Sequence, residues 1–177
     1  MPPDPSFDEF VARGSTRLLR SAYLLCGDRA EAEDVLQVAL VRTARQWDAA
    51  REAPSAYVHR VLVNLLRDRH RRLLRRVPER PLGEGDVAAR STADHADAVV
   101  DREAIIHAVK LLAPRQREVV VLRFFADLSV SETAAAIGAS QGSVKTHTSR
   151  ALERLREVLE DDSKTFTTTR PAVHGAD

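Results

Sequence analysis

Residues 128–155 carry a run of local signals that leaves little freedom in how they fold. Ser129-Val130-Ser131-Glu132 sets a hydroxyl three residues before a carboxylate, a capping-box pattern that starts a helix. Ala134, Ala135 and Ala136 are small enough to let a second helix approach closely. Gly138 follows Ile137 and supplies the left-handed residue that ends a short helix. Ser140 can cap the next one, which opens Gln141-Gly142-Ser143-Val144-Lys145. There Val144, Thr148, Ala151, Leu155 and Val158 share one face, while Ser143, Lys145, Thr146, Ser149 and Arg150 fall largely away from it. An apolar rear and a polar front suit a DNA-binding helix-turn-helix, whose second helix reaches bases and phosphates from its N-terminal turns. The alternative for the same residues is an ordinary helical hairpin with a solvated face.

The rest of the chain also predicts helices, so the fold class is all-α. Phe7, Phe10, Val11, Leu18, Leu19, Ala22 and Leu25 recur at three- and four-residue steps, and Cys26-Gly27-Asp28 stops that helix. Asp28 or Arg29 leads into an acidic helix start, Glu31, Glu33 and Asp34, complementary to the helix dipole. That helix is expected to continue through Trp47, and another to run from about Ser55 to Arg72. Composition then changes: Pro78, Pro81, Gly83 and Gly85 fall close together, with few large apolar side chains before Val99. The expected organisation is a helical domain at 7–73, a flexible acidic linker at 74–98, a second helical domain at 99–160 and a disordered tail at 161–177.

The formal net charge of the 177 residues is +1, which conceals its distribution. From Arg60 to Arg76 there are seven arginines against one aspartate, and from Ser140 to Arg156 four basic residues against one glutamate. From Glu79 to Glu103 seven acidic residues oppose three basic ones. Two basic surfaces thus flank an acidic segment, which gives two candidate phosphate-contacting faces. No apolar run approaches the ~20 residues of a membrane-spanning helix, and no secretory leader is recognisable. The single cysteine, Cys26, forms no internal disulfide, and its expected state is a small buried hydrophobe in a reducing cytoplasm. No metal or cofactor is expected. Nor is an enzyme, since neither a phosphate-loop glycine motif nor a nucleophile–base cluster occurs.

Leu111-Leu112-Ala113-Pro114-Arg115-Gln116-Arg117-Glu118-Val119-Val120-Val121-Leu122-Arg123-Phe124 resembles the start of the C-terminal domain of extracytoplasmic-function (ECF) sigma factors. The segments Ser131–Ala134 and Gly142–Ala151 resemble their helix-turn-helix. Ala32-Glu33-Asp34-Val35-Leu36-Gln37 resembles the family's core-polymerase-binding helix, with Val38 where the family usually has an acidic residue. Tyr57-Val58-His59-Arg60-Val61-Leu62-Val63-Asn64 resembles the helix and loop that engage the −10 element. The likeness spans roughly residues 7–160 in the family's order and is greatest to the actinobacterial SigE-type set.

The resemblance implies two small helical domains, sigma region 2 and sigma region 4, in a protein that binds core RNA polymerase, directs it to promoters and assists DNA opening. Implied partners are the clamp helices of the largest subunit, the flap of the second-largest subunit and promoter DNA, with an anti-sigma factor as a further candidate. The free protein is expected to be monomeric, cytoplasmic and without membrane contact. Asp34, Gln37, Val41, Arg42 and Arg45 share a helix side that would face polymerase. Tyr57, Arg60, Asn64, Arg67, Arg69, Arg71 and Arg72 would act at the −10 element and in melting. Ser143, Lys145, Thr146, His147, Ser149, Arg150 and Arg154 would act at the −35 element. Asn64, the only asparagine, pairs a donor with an acceptor and can read an exposed base edge; a helix cap or a buried structural role is its alternative. Arg67 and Arg71, one turn apart, could bridge adjacent phosphates. Tyr57 suits base stacking and core packing equally, and Trp47 is expected in the core. A competing reading is a LuxR-type transcription regulator, whose effector domain shares a run like Ser143–His147. Residues 7–72 show no strand–helix alternation for the receiver such a regulator needs.

Overall fold

A computed structural model of the chain describes residues 4–76 and 104–168, with residues 76 and 161–168 as backbone alone. All regular structure among the described residues is helical. Helix α1, Pro5–Cys26, starts where the Asp4 carboxylate accepts from the Ser6 amide at 2.9 Å. The Ser6 bonds, side chain and then backbone, hold the Asp4 carboxyl below its ordinary range. It ends at Gly27, whose φ of 87° requires a residue without a Cβ. Asp28 then caps α2, Arg29–Arg45, by accepting from the Glu31 amide at 2.7 Å.

The predicted continuation of α2 through Trp47 is not observed. Gln46, at φ −122°, breaks the helix, and Trp47–Ala50 form the short α3. The turn brings the buried Trp47 ring against Phe7 and Phe10, with its Nε1 donating to Ser6 Oγ at 2.8 Å. Helix α4 runs Pro54–Arg76, beyond the predicted end near 72 and into the first residues assigned to a linker. Its sequence has no breaker before Pro78, which disfavours helix at the residue it follows. The remaining linker positions, 77–98, lie outside the described residues. Leu18, Ala22, Ala32, Val35, Leu36, Ala39, Val58 and Leu62 join α1, α2 and α4 in one core.

The second block opens with α5, residues 104–110, and α6, Pro114–Val120, which widens into a π-helical turn over Val121–Phe125. Helix α7, Val130–Ile137, and α8, Gln141–Thr168, complete it. Residues 161–168, expected in a disordered tail, are helical. No glycine or proline lies between Ser143 and Arg170, and extending a formed helix needs only one residue fixed per hydrogen bond. Positions 169–177 lie outside the described residues.

The two blocks do not stand apart. Val119, Val120, Val121 and Leu122 are all buried, although four successive residues point around the whole circumference of a helix. Neighbours on both sides explain this. Val119 and Leu122 join Val63 of α4 with Ile137 and Val144, while Val120 and Val121 join Leu24 of α1 with Val109 and Ala151. Polar contacts ring the seam. Lys110 donates to the Tyr23 hydroxyl at 3.2 Å, Arg20 lies over the Phe125 ring, and Arg17 pairs with Asp127 at 3.1 Å.

Candidate nucleic-acid interface

The helix-turn-helix forms as its sequence predicts. Ser129 accepts from the Glu132 amide at 3.1 Å while the Glu132 carboxylate accepts from the Ser129 amide at 2.7 Å. Hydrogen bonding from Ser129 to the Glu132 carboxyl, from its side chain first and then from its backbone amide, keeps that carboxyl below its usual range. Gly138 takes φ 66°, and Ser140 Oγ accepts from the Ser143 amide at 3.1 Å. Behind α8, Val144, Ala151 and Val158 are buried. In front, Lys145, Thr146, Ser149 and Arg150 are exposed, while Ser143 and His147 are half-buried. Thr146 donates to the Gly142 carbonyl, Ser149 to Glu153, and Arg154 pairs with Glu157, so Lys145 and Arg150 are the cations that lead this face.

A second polar face lies where α2 ends beside α4. Tyr57, Val61 and Asn64, at i, i+4 and i+7 along α4, line a hollow of about 330 Å³ whose other wall is Arg42, Arg45 and Gln46. Asn64 is exposed, so it is neither a helix cap nor a buried structural amide. Tyr57 is half-buried, with the Arg60 guanidinium 4.7 Å over its ring centre. Arg42 and Arg45, assigned from sequence to the polymerase face, therefore also border Asn64. Two matching stripes, Tyr57/Val61/Asn64 on α4 and Arg42/Arg45/Gln46 on α2, carry that signal. It becomes readable only once the two helices are known to pair.

The remaining predicted residues are spread more widely. Asp34, Gln37 and Val41 are exposed on the solvent side of α2, next to the exposed Val38. Arg69 reaches back to Glu31 at 3.5 Å and Asp34 at 4.0 Å, tying the predicted polymerase face to the arginine stripe. Arg71 pairs with Asp68, and Arg72 is exposed. Arg67 is turned away from Arg71 toward Glu118 and Ile137. The residues that sequence reasoning missed, Glu118 and Arg115, lie against it, and a contact across 51 positions leaves no local trace. Among the described residues no cluster of His, Cys, Asp and Glu could hold a metal ion. No described helix is long and apolar enough to cross a membrane.

Comparison with known proteins fits this division. Residues 10–76 match the family described as Sigma-70 region 2, and residues 108–157 match Sigma-70, region 4. The chain is 45% identical over 157 residues to an RNA polymerase sigma-E factor of Streptomyces avermitilis, covering 87% of this chain and 85% of that one. It is 42% identical to the sigma-E factor of Streptomyces coelicolor, over 86% of this chain and 85% of the relative. In structure it resembles the sigma factor RpoE of Bartonella quintana, solved in complex with the anti-sigma factor NepR. There the TM-score is 0.71 and the identity 25%, over 87% of this chain and 96% of the other. The region 2 match accounts for the N-terminal block that a LuxR-type regulator would not contain. With both regions matched in order, and close sigma-E relatives over most of its length, the chain belongs to the sigma-70 family as an ECF sigma factor of SigE type.

Proposed function

We propose that this sigma factor divides promoter recognition between its two polar faces, with the α2–α4 hollow at the −10 element and the front of α8 at the −35 element. Sigma factors bind core RNA polymerase and promoter DNA as regulatory subunits rather than catalysts, and this chain directs promoter-specific initiation. The observation that carries the finer reading is the exposed Asn64 amide at a hollow bordered by Tyr57, Arg42 and Arg45. A base leaving the duplex would find a ring to stack on, an amide for its edge and guanidinium groups for its flanking phosphates. Arg60, Arg69, Arg71 and Arg72 would extend the phosphate track along α4. On α8, Lys145 and Arg150 would hold the duplex while Ser143, Thr146, His147 and Ser149 face the groove. Arg154 would act as a further phosphate contact.

The exposed side of α2, with Asp34, Gln37, Val38 and Val41, would dock on the clamp helices of the largest polymerase subunit, and the second block on the flap. Exposed aliphatic side chains next to ionic ones suit such a contact. The setting would be cytoplasmic, where polymerase and promoter meet. An anti-sigma factor is the proposed regulator, by likeness to the RpoE–NepR pair. Run-off transcription with purified core polymerase tests the reading. Promoter-specific transcripts from genomic fragments are expected, and failure to co-purify with core or to yield such transcripts would sink it.

A further inference from the structure

Arg67 occupies the arginine stripe of α4, yet its guanidinium is committed within the chain. Nε donates to Glu118 Oε1 at 2.8 Å, Nη2 to Glu118 Oε2 at 2.5 Å and Nη1 to the Ile137 carbonyl at 2.9 Å. Arg115 donates to the same two groups, at 3.1 and 3.3 Å. Ile137 is the last residue of α7, so its carbonyl lies at the negative end of that helix dipole, where guanidinium groups are favoured. The Glu118 side chain is only 12% exposed and that of Arg67 25%. One turn away, Val63 is 1% exposed and sealed against Val119, Leu122 and Ile137. A carboxylate and a phosphate offer a guanidinium fork the same pair of oxygens. Glu118 therefore fills the fork that a phosphate at Arg67 would need, and the two would exclude each other.

Distance supports the same conclusion. The −10 and −35 positions are separated by roughly 85 Å of duplex at about 3.4 Å per base pair. In this structure Val63, beside Asn64, and Val144, on the recognition helix, share one core. The whole of α4 is about 35 Å long at about 1.5 Å per residue. One packed body cannot serve both elements. The chain between residues 76 and 104 reaches about 100 Å when fully extended, so the covalent connection permits separation.

We propose that the Arg67–Glu118–Ile137 contact is an autoinhibitory latch. Glu118 acts as an internal phosphate mimic that holds the two blocks closed, and a polynucleotide phosphate at Arg67 competes with it and opens the molecule. The proposal rests on the reading of Arg67 as a phosphate contact. Closure is measured as the distance between spin labels on α3 and α8 (Ala49→Cys and Arg156→Cys in a Cys26→Ser background) in the full chain. The expected result is one narrow distribution for the starting protein, a broad one for Glu118→Arg, and recovery of the narrow one in Arg67→Glu/Glu118→Arg. A narrow distribution in Glu118→Arg, with unchanged helical ellipticity, overturns the latch. A measurement without charge reversal guards against misfolding. Saturating the starting protein with a single-stranded DNA oligomer at low salt should broaden the distribution, and saturation without broadening overturns the competition. Glu118→Gln should bind that oligomer at least about fivefold more tightly, and unchanged affinity counts against the mimic. The phosphate reading is judged apart, by holoenzyme carrying Arg67→Ala. If it retains forked −10 DNA like the parent, that reading fails whatever the distances show.

Discussion

Asn64 and His59 lie just over one turn apart on α4 and face opposite environments. Asn64 is exposed at the hollow, so its amide is available to a ligand without disturbing the fold. Asn64→Ala should reduce promoter opening, followed by permanganate reactivity of unpaired thymines, by about tenfold or more, because one good base contact contributes about 1–3 kcal/mol. Binding to core polymerase should be unchanged, and equal loss of both would make Asn64 structural. His59 is 1% exposed, with Nδ1 donating to the Ser55 carbonyl at 2.7 Å and Nε2 buried without a protein partner. Burial lowers its pKa from 6.5, the Ser55 bond opposes that, and the positive charge of Arg17 adds to it. The unfolded chain therefore takes up this proton first. Stability from neutral His59 is complete above pH 6.5 and falls as pH drops through and below that value. The thermal midpoint should decline from pH 7 to pH 5, and His59→Gln should flatten that slope; an equal slope in both proteins assigns the effect elsewhere. Asn64 is legible in the sequence as a lone amide in a basic stretch. The burial of His59 is not, because its neighbours come from packing.

At the scale of the element, legibility tracks how local the determinants are. The capping box at Ser129, the left-handed Gly138 and the cap at Ser140 each act within four residues, and each forms as the sequence implies. The π-helical turn at Val121–Phe125 has no such signature. It forms where the successive residues Val119–Leu122 are buried between the two blocks, and its exit is fixed by the Leu128 amide donating to the Leu122 carbonyl at 3.0 Å. The end of α2 escapes local reading for a related reason, since the pull on Trp47 comes from Phe7, Phe10 and Ser6, some forty residues away. The recognition helix carries its own prediction. Lys145 and Arg150 are exposed cations on its front, so Lys145→Ala/Arg150→Ala should lower −35 affinity across sequences. The slope of log affinity against log salt should become shallower by about 1.8, or about 0.9 for each phosphate no longer neutralised. A parallel line displaced downward would show that neither side chain meets a phosphate.

For the whole molecule, the sequence shows two basic helical blocks with an acidic stretch between them, and hides that the blocks share a core. Val63 reads as one more apolar residue of α4, and Arg67 as one more arginine in a row. Their partners lie more than fifty residues further on, in a block whose own pattern is already satisfied. Shared packing predicts shared unfolding. Trp47, the only tryptophan, lies wholly within the first block against Phe7 and Phe10. Its fluorescence and the far-ultraviolet ellipticity of the whole chain should melt together. Val63→Glu places a carboxylate in the seam while leaving Val58 and Leu62 in the first block's own core. The two transitions should then separate. Coincident melting in that variant would mean that the blocks are coupled by something other than this seam.

The solitary asparagine at the hollow has a spectroscopic consequence. A chain enriched in nitrogen-15 at asparagine alone gives a single backbone peak and a single side-chain amide pair, both from Asn64. Those signals need no assignment, and they come from a group that borders Tyr57, Arg42 and Arg45 without being buried by them. Ring currents and nearby charge would shift them whenever the hollow is filled or reshaped. The molecule thus carries its own reporter at the position where the promoter is expected to open.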